Sequence, residues 1–210
     1  MLMDIKIESL DDKRLEMAFA LATDTFTQES TLHRAMDIQL SEYQDYLRNS
    51  FKKIVTEGLS IAAIDAKSGD LIGCLIATEF LNQLDSSVKS SIQFAPLVAL
   101  TNSLATKYDS QRSIVRGEAV LVDMGVVSAH ARGNGIYKLM RLAIEDVARR
   151  AGYRWVIGEL SSAATQHVVI NRMKYRVMAQ IKYDEFEFEG GYPFQFIKEP
   201  PSIVISGGDL

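Results

Sequence analysis

Alternating and helically spaced apolar residues divide the first eighty residues into four elements. Residues 4–9 alternate apolar with polar side chains, which predicts a strand, and apolar residues recur at helical spacing from residue 11 to residue 26. A second helix is predicted over residues 41–58, where Gly58 follows the last periodic position. Two β-rich runs on either side of the turn residues 67–70 predict a hairpin.

The middle of the chain combines a polar excursion with a long apolar strand. Residues 81–112 hold too many apolar side chains to remain solvated, so we expect an excursion with one or two helices. Residues 118–128 predict a central strand, and its interior glycine, Gly125, indicates a bulge or a close approach of another segment.

The last third predicts helices and strands in alternation. A helix is expected over residues 135–150, a strand over 153–160, a short helix over 165–175 and a strand over 176–188. We further expect an edge strand at residues 194–199, because Pro200 and Pro201 follow it, and a frayed tail in the final SGGDL. The order of elements predicts one α/β domain over residues 1–210, with a mixed sheet and helices on both of its faces.

Composition and charge narrow the possible function classes. The chain has 210 residues, a net charge of −4 and 47% hydrophobic residues, whereas a nucleic-acid-binding protein usually has a basic balance. Its single cysteine, Cys74, allows no intrachain disulfide and is expected to be a small buried apolar residue. The N-terminus lacks the pattern of a secretory signal, and no apolar run is long enough to span a membrane. We therefore expect a cytoplasmic protein, monomeric or homodimeric, without nucleic-acid or membrane partners.

The stretch SAHARGNGIYKLM joins the central strand to the following helix through a glycine-containing turn. The first N–H groups of a helix have no intrahelical partner and favour phosphate oxygens. Gly133 and Gly135 let the backbone close around such oxygens, while Arg132 and Lys138 supply positive charge. Other phosphate-binding motifs lack their defining residues here. Taken alone, the two glycines are better explained by a tight turn.

The ordered set of motifs resembles the GNAT superfamily of acetyl-CoA-dependent N-acyltransferases. Their turn follows Arg/Gln-x-x-Gly-x-Gly/Ala, matched here by Arg132 and Gly135 and imperfectly by Tyr137. Together with FTQESTL, the excursion and NRMKYRVMAQIKYDEF, the chain is similar to the arylalkylamine N-acetyltransferase branch, especially its insect-type members, from Asp4 to about Phe196. The resemblance implies a GNAT fold, an α/β architecture whose mixed, mostly antiparallel sheet has a bulged central strand.

The same resemblance implies which residues hold acetyl-CoA. The backbone of Val126 and Val127 would hold the thioester carbonyl and the pantetheine arm, and Arg132 would lie beside the pyrophosphate. The backbone N–H groups that would hold the pyrophosphate belong to five consecutive residues: Gly133, Asn134, Gly135, Ile136 and Tyr137.

Acetyl transfer to an amine requires a base, because an alkylamine is mostly protonated at neutral pH. Glu29 is the first candidate, since TQESTL matches a segment whose Glu is the base in the insect-type branch, although Gln28 replaces its Asp and Ser30 its Pro. Asp123 is an alternative, because a carboxylate inside an apolar strand must be paired, solvated in a cleft or shifted in its pKa. His130, just before the turn, is the third candidate, ahead of the other two histidines, His33 and His167.

The proton donor is less clearly indicated. Many superfamily members place a tyrosine acid on the last short helix, but Ile170 stands at that position here, with Lys174 and Tyr175 replacing the Gly and Phe that follow. The insect-type branch uses serines near this helix instead. Ser162 falls at one such position, where it is expected either to relay a proton or to cap a helix, and Gln166 falls at the other.

The amine is expected to bind between the N-terminal helices, the excursion and the last strands. Four aromatic residues are available to line that pocket: Tyr43, Tyr46, Phe94 and Tyr183. No cluster of Cys and His has metal-ligand spacing, so no metal is expected. The expected function is transfer of an acetyl group from acetyl-CoA to a small primary amine. The alternatives are an acyl-CoA-binding sensor or scaffold without catalysis and a protein or peptide N-acetyltransferase.

Overall fold

The computed structural model describes residues 3–84 and 92–210. The N-terminal half contains strand β1 (Ile5–Ser9), helices α1 (Leu15–Glu29), α2 (Thr31–Ala35) and α3 (Leu40–Thr56), and the hairpin strands β2 (Ile61–Asp65) and β3 (Leu71–Glu79). The predicted strand, helices and hairpin of this half are confirmed, and α2 is an additional short helix.

The excursion supplies two helices, α4 (Phe80–Leu84) and α5 (Ala95–Arg112), the second preceded by a short 3-10 turn (Ile92–Phe94). Part of the predicted excursion, residues 85–91, lies outside the described residues. Helix α5 buries Leu100, Leu104 and Tyr108 against the sheet, which confirms that the excursion is packed onto the protein.

The second half continues with β4 (Ala119–Val127), α6 (Ile136–Arg150) and β5 (Trp155–Leu160). A short helix α7 (Ala163–Gln166) runs into a π-helical turn (His167–Arg172), and strands β6 (Arg176–Lys182) and β7 (Ser202–Asp209) follow. The structure therefore confirms the predicted long central strand and the helix that follows the glycine turn.

The described strands form one seven-stranded sheet in the order β1-β2-β3-β4-β5-β7-β6, in which only β4 and β5 run parallel. Helix α6 packs on one face through its apolar stripe, which includes Ile136, Met140 and Ile144. Helices α1, α3 and α5 cover the other face, so the sheet is buried between two helical layers. This mixed, mostly antiparallel sheet with helices on both faces confirms the architecture that the sequence predicted.

Two predictions for the C-terminal region are wrong. Residues 194–199 form turns, because Phe194 inserts into the core beside Tyr183 and leaves Phe196 83% exposed. The tail expected to be frayed is the end of β7, which lies between β5 and β6 rather than at an edge. Its glycines allow close packing, since a Cβ at Gly207 would lie 2.1 Å from the Val156 carbonyl oxygen.

Candidate active site

Strands β4 and β5 separate at one end and leave a cleft between them. They pair from Ala119 and Trp155 to Val122 and Gly158, and beyond this last pair β5 no longer follows the edge of β4. Val126 and Val127, the residues expected to hold a pantetheine arm, lie on this open part of β4. Backbone groups on that edge can therefore pair with an extended ligand.

A cavity of about 740 Å³ extends from the cleft to the N-terminus of α6; we call it the cleft cavity. It is bounded by α1, β4, the glycine turn, β5 and the segment that includes α7. Residues on its wall include most of those expected at the site: Glu29, Asp123, Val126, Val127, Arg132, Gly133, Gly135, Ile136, Tyr137 and Ser162.

The glycine turn shapes one end of the cleft cavity. Gly133 and Gly135 have φ angles of +82° and +73°, which lie in the left-handed region that glycine adopts without strain. Gly135 is the N-cap of α6 and provides no side chain to satisfy the first N–H groups of the helix. Asn134, the remaining residue of the turn, donates its side-chain amide to the carbonyl of Ala131 at 3.0 Å. The turn thus leaves helix N–H groups available for an anion.

Arg132 connects the turn to the end of α1. Its Nη2 atom donates to Glu29 Oε1 at 2.8 Å, and its Nε atom donates to the carbonyl of Val127 at 3.1 Å. Both side chains of the ion pair are about half exposed, so the pair is open to competition from a bound anion. Glu29 is therefore partnered by a cation at the wall of the cleft cavity.

The ring of Tyr137 packs directly against Gly125 at the wall of the cleft cavity. A Cβ on Gly125 would lie 2.7 Å from Tyr137 Cε2 and 2.7 Å from Leu75 Cδ2. The predicted close approach at Gly125 is therefore confirmed. The bulge itself lies two residues earlier, since Met124 pairs with Ile76 and Val122 with Ala77, which leaves Asp123 as the extra residue.

A second cavity, of about 570 Å³, lies on the face of the sheet that α1, α3 and α5 cover; we call it the aromatic cavity. Phe26, His33, Tyr43 and Tyr46 line one side of it, and polar residues from α4 and α5 line another. Phe94 stacks on Tyr46 with ring centroids 4.3 Å apart, which supports that ring from behind. Tyr183, which was predicted to join this wall, packs instead against Phe194 in the core.

The two cavities meet at a small shared set of residues: Phe26, Ser30, Asp123, Glu159 and Ser161. Asp123 follows the last paired residue of β4, and Glu159 follows its partner on β5. Gln83 of α4 donates to Glu159 Oε1 at 2.8 Å. Two carboxyl groups thus lie at the point where the cavities join.

Burial raises the pKa of both carboxyl groups. Desolvation raises the pKa of Asp123 to about 6. Desolvation also raises the pKa of Glu159, and the nearby charge of Asp123 raises it further. The hydrogen bond from Gln83 lowers it, and the pKa of Glu159 is about 8. Asp123 thus has the lower pKa of the two and Glu159 the higher, so Asp123 is the better placed to accept a proton and Glu159 to donate one.

Glu159 is the residue that the sequence analysis missed. It lies in YRWVIGEL, a strand whose other interior positions are apolar, so its carboxylate, like that of Asp123, must be paired, solvated in a cleft or shifted in its pKa. The signal that was lacking is the register of β4 and β5, which makes the two carboxylates neighbours.

The other candidate residues have clear structural surroundings. Burial lowers the pKa of His33 to about 4, so the ring is neutral, with Nδ1 3.0 Å from Ser30 Oγ. Burial raises the pKa of Cys74 to about 12, in agreement with the expected apolar role. His130 is exposed and is not among the lining residues of either cavity, whereas His167 lines the cleft cavity and accepts from Arg172 Nε at 3.2 Å.

Ser162 and its neighbours are engaged with the backbone. Ser162 is the N-cap of α7, where its Oγ atom accepts from the N–H of Thr165 at 3.1 Å. The Gln166 side chain donates to the carbonyls of Leu160 and Ser202 at 3.0 and 2.8 Å. The hydroxyl of Tyr175 donates to Glu145 on α6, which ties the segment after the π-helical turn to that helix.

No metal-binding cluster of His, Cys, Asp and Glu occurs among residues 3–84 and 92–210. In the same part of the chain, none of the helices combines the length and apolar character of a membrane span.

Solved structures with the same fold extend over the whole chain. The C-terminal condensation domain of Ebony, solved in complex with β-alanyl-dopamine, superposes with a TM-score of 0.89 at 13% identity and covers 100% of both chains. The mosquito protein arylalkylamine N-acetyltransferase-like 5b superposes with a TM-score of 0.83 at 16% identity. The match covers 99% of this chain and 100% of the mosquito chain. A Drosophila melanogaster polyamine N-acetyltransferase, an enzyme that forms N-acetylagmatine, gives 0.78 at 15% identity with the same coverage.

No protein-family sequence model matches the chain, and no curated protein sequence matches it significantly. At such low identities the similarity to solved structures demonstrates a shared fold, and the chemistry has to be argued from the site.

Proposed function

We propose that the chain is an acetyl-CoA-dependent N-acetyltransferase that transfers the acetyl group directly to a small primary amine. The observation that carries this proposal is the junction of two cavities at Asp123, one with an anion-binding turn and the other lined by aromatic and acidic residues. A thioester and an amine entering from opposite sides would meet beside a carboxylate.

The residues of the cleft cavity fit coenzyme A. The turn at Gly133 and Gly135 directs helix N–H groups to the cavity, and Lys138 and Arg172 on its wall add positive charge for phosphates. The unpaired edge of β4 at Val126 and Val127 fits an arm with two amide groups. Acetyl-CoA would supply the activated acyl group, and these residues would orient it toward Asp123.

The residues of the aromatic cavity fit a small amine. Tyr43 and Tyr46 present ring surfaces, and Asp123, Glu159 and Glu57 supply carboxyl groups on the same cavity wall. Glu57 accepts hydrogen bonds from Thr78 and Asn82 and is held in place by them. An aromatic surface close to carboxylates favours a cation or an amine with an apolar tail, as in an arylalkylamine or a polyamine.

Asp123 is the base that this geometry favours, because it lies where the cavities join. Glu29 is the competing candidate and is held by Arg132. Pyrophosphate binding to Arg132 would free Glu29, so both assignments are open to a direct test. For Asp123→Asn we expect a fall in kcat/KM of about 10²- to 10⁴-fold, the usual range for a lost general base. For Glu29→Gln we expect a change of only a few-fold.

The function is tested by thiol release from acetyl-CoA in the presence of arylalkylamines, polyamines and peptide N-termini. Release with a small amine, lost in Asp123→Asn and kept in Glu185→Gln, supports the proposal. Glu185 is a suitable control because it lines neither cavity and pairs with the exposed Lys182. Acetyl-CoA binding without release would favour a sensor, and release with peptides alone would favour a peptide acetyltransferase.

A second candidate is amine condensation with a different acyl thioester. It is favoured by the superposition with the Ebony condensation domain, whose complex contains β-alanyl-dopamine. The chemistry at the junction would be the same, and the acyl group would differ. Turnover with β-alanyl-CoA and dopamine that exceeds turnover with acetyl-CoA would support this reading.

A further inference from the structure

We propose that Asp123 and Glu159 act as a carboxyl pair that performs both proton transfers of the reaction, with Asp123 accepting a proton from the amine and Glu159 donating one to the leaving sulfur. The inference rests on the proposed function and adds Glu159 as a catalytic residue. It starts from the register of β4 and β5, whose last pair, Val122 and Gly158, directly precedes the two residues, and from the walls of both cavities, to which both residues belong.

Adjacent strands lie about 4.8 Å apart, and successive side chains alternate between the faces of a sheet. Val122 packs on the α6 side, and a Cβ at its partner Gly158 would point toward Arg141 of α6, so Asp123 and Glu159 both point to the opposite face. The bulge at Asp123 and the separation of the strands open a passage beside them. Both carboxyl groups consequently reach both cavities.

The two carboxyl groups differ in their surroundings. Glu159 is held by the side-chain amide of Gln83, whereas Asp123 has no hydrogen bond to any of the described residues. Burial favours the protonated form of both, and the charge of Asp123 favours retention of the proton on Glu159. Neighbouring carboxyls whose pKa values are separated in this way commonly divide the roles of base and acid.

Other titratable groups face the pair from the surrounding elements. On the aromatic side these are Tyr43, Tyr46, Lys53, Glu57 and His33, and the charge of Asp123 raises the pKa of both tyrosines. On the cleft side they are Glu29, Arg132, Tyr137, Lys138, His167, Arg172 and Glu199. His33 is neutral throughout the range in which the pair titrates, and Tyr43 and Tyr46 remain protonated there, so none of these three groups changes charge together with the pair.

The ammonium first releases one proton to solvent, and the neutral amine attacks the thioester carbonyl. As the C–N bond forms, Asp123 accepts the second proton from nitrogen. The C–S bond then breaks, and the sulfur takes the proton of Glu159. Transfer of the proton from Asp123 to Glu159 restores the pair and leaves an amide and a free thiol.

The test compares the wild type with Asp123→Asn, Glu159→Gln and the control Glu185→Gln, using two acetyl donors. Acetyl-CoA needs its thiolate protonated, whereas acetyl 4-nitrothiophenol releases a stable thiolate. In all pH profiles kcat/KM is calculated on the concentration of neutral amine, which removes the ionisation of the substrate itself. We expect Glu159→Gln to lower kcat/KM with acetyl-CoA at least 50-fold, to lose the alkaline limb of the pH profile near 8, and to recover most of its relative activity with the nitrothiophenol donor. Asp123→Asn should lose the acid limb near 6 and show no such recovery.

The outcomes separate this inference from the proposed function. If the wild type turns over and Glu159→Gln retains its activity and alkaline limb, the carboxyl pair is wrong and the acetyltransferase stands. If Glu159→Gln is equally impaired with both donors, Glu159 is not the proton donor. If the wild type releases no thiol with any of the amines, both proposals fail. Should Glu159→Gln not fold, a wild-type profile that stays flat between pH 6 and 9 contradicts the pair, and a bell shape with limbs near 6 and 8 supports it.

Discussion

The space beside Gly125 is set by the ring of Tyr137, and a single added methyl group tests that packing. In Gly125→Ala the new Cβ would overlap with both Tyr137 and the fully buried Leu75. We expect a loss of about 1–3 kcal/mol in the free energy of unfolding, because overpacked cores cost that much. Urea denaturation measures the loss, and calorimetry measures weaker acetyl-CoA binding if the ring is pushed into the cleft cavity.

Two further variants show whether overlap with Tyr137 causes the loss of stability in Gly125→Ala. Gly191→Ala is a matched control, since its Cβ would meet only the Phe188 carbonyl oxygen at an ordinary 3.7 Å. In the double variant Gly125→Ala/Tyr137→Ala, removal of the ring should restore part of the lost stability. Additive losses in the double variant would contradict the overlap between these two residues.

The raised pKa of Glu159 predicts how stability depends on pH. A folded state that holds the proton more tightly than the unfolded chain loses stability as pH rises from the unfolded value, about 4.3, through the folded value, about 8. In Glu159→Gln this loss disappears, while the glutamine can still accept from Gln83. We expect the Tm of the variant to exceed that of the wild type by about 3–6 °C at pH 9.

At pH 4 the same comparison should give nearly equal Tm values, because glutamate is then protonated in the folded protein and largely protonated in the unfolded chain. Thermal melts of both proteins from pH 4 to 9 measure the difference. A constant difference across this range would mean that the substitution acts through packing and not through the proton.

At the scale of elements, substitutions at the N-cap of α7 distinguish two roles for Ser162, helix capping and proton relay. Ser162→Asp keeps an N-cap acceptor but removes the hydroxyl, whereas Ser162→Ala removes both. If the residue is a cap, Ser162→Ala should lose about 0.5–2 kcal/mol of stability, Ser162→Asp should lose less, and activity should follow stability. A proton relay would instead make both variants inactive, with Ser162→Asp as stable as the wild type. Denaturation curves and thiol release, measured on the same preparations, distinguish these results.

Elements with a strong local pattern could be predicted from the sequence. The hairpin around residues 67–70 and the helix after the glycine turn depend on neighbours in sequence. The place of β7 depends on pairing with β5, some fifty residues earlier, and its glycines resemble those of a flexible tail. Glu159 was missed for the same reason, because its relation to Asp123 exists only in the register of two strands.

At the scale of the whole molecule, the sheet is completed by its last strand. Strand β7 pairs with β5 from Trp155 to Leu160 on one side and with β6 on the other. Without β7, strand β6 would have no strand beside it, and the outer edge of β5, the strand that carries Glu159, would be unpaired. The C-terminal residues thus stabilise the site from a distance, although they line little of it.

Shortening the chain at its two ends tests this role of β7. Removal of residues 206–210 deletes the partners of Trp155, Val156, Ile157 and Gly158, together with the bond from Trp155 Nε1 to Asp209 Oδ1 at 2.6 Å. Since unpaired backbone groups and newly exposed core each cost free energy, we expect loss of cooperative unfolding or a fall in Tm of more than about 10 °C. Removal of residues 1–3, which precede the edge strand β1, should lower Tm by only a few degrees. Circular dichroism melts compare the two shortened proteins. Equal Tm values would mean that the end of β7 contributes no more to stability than the residues before β1 do. In that case β5 would keep Glu159 in place without pairing with β7.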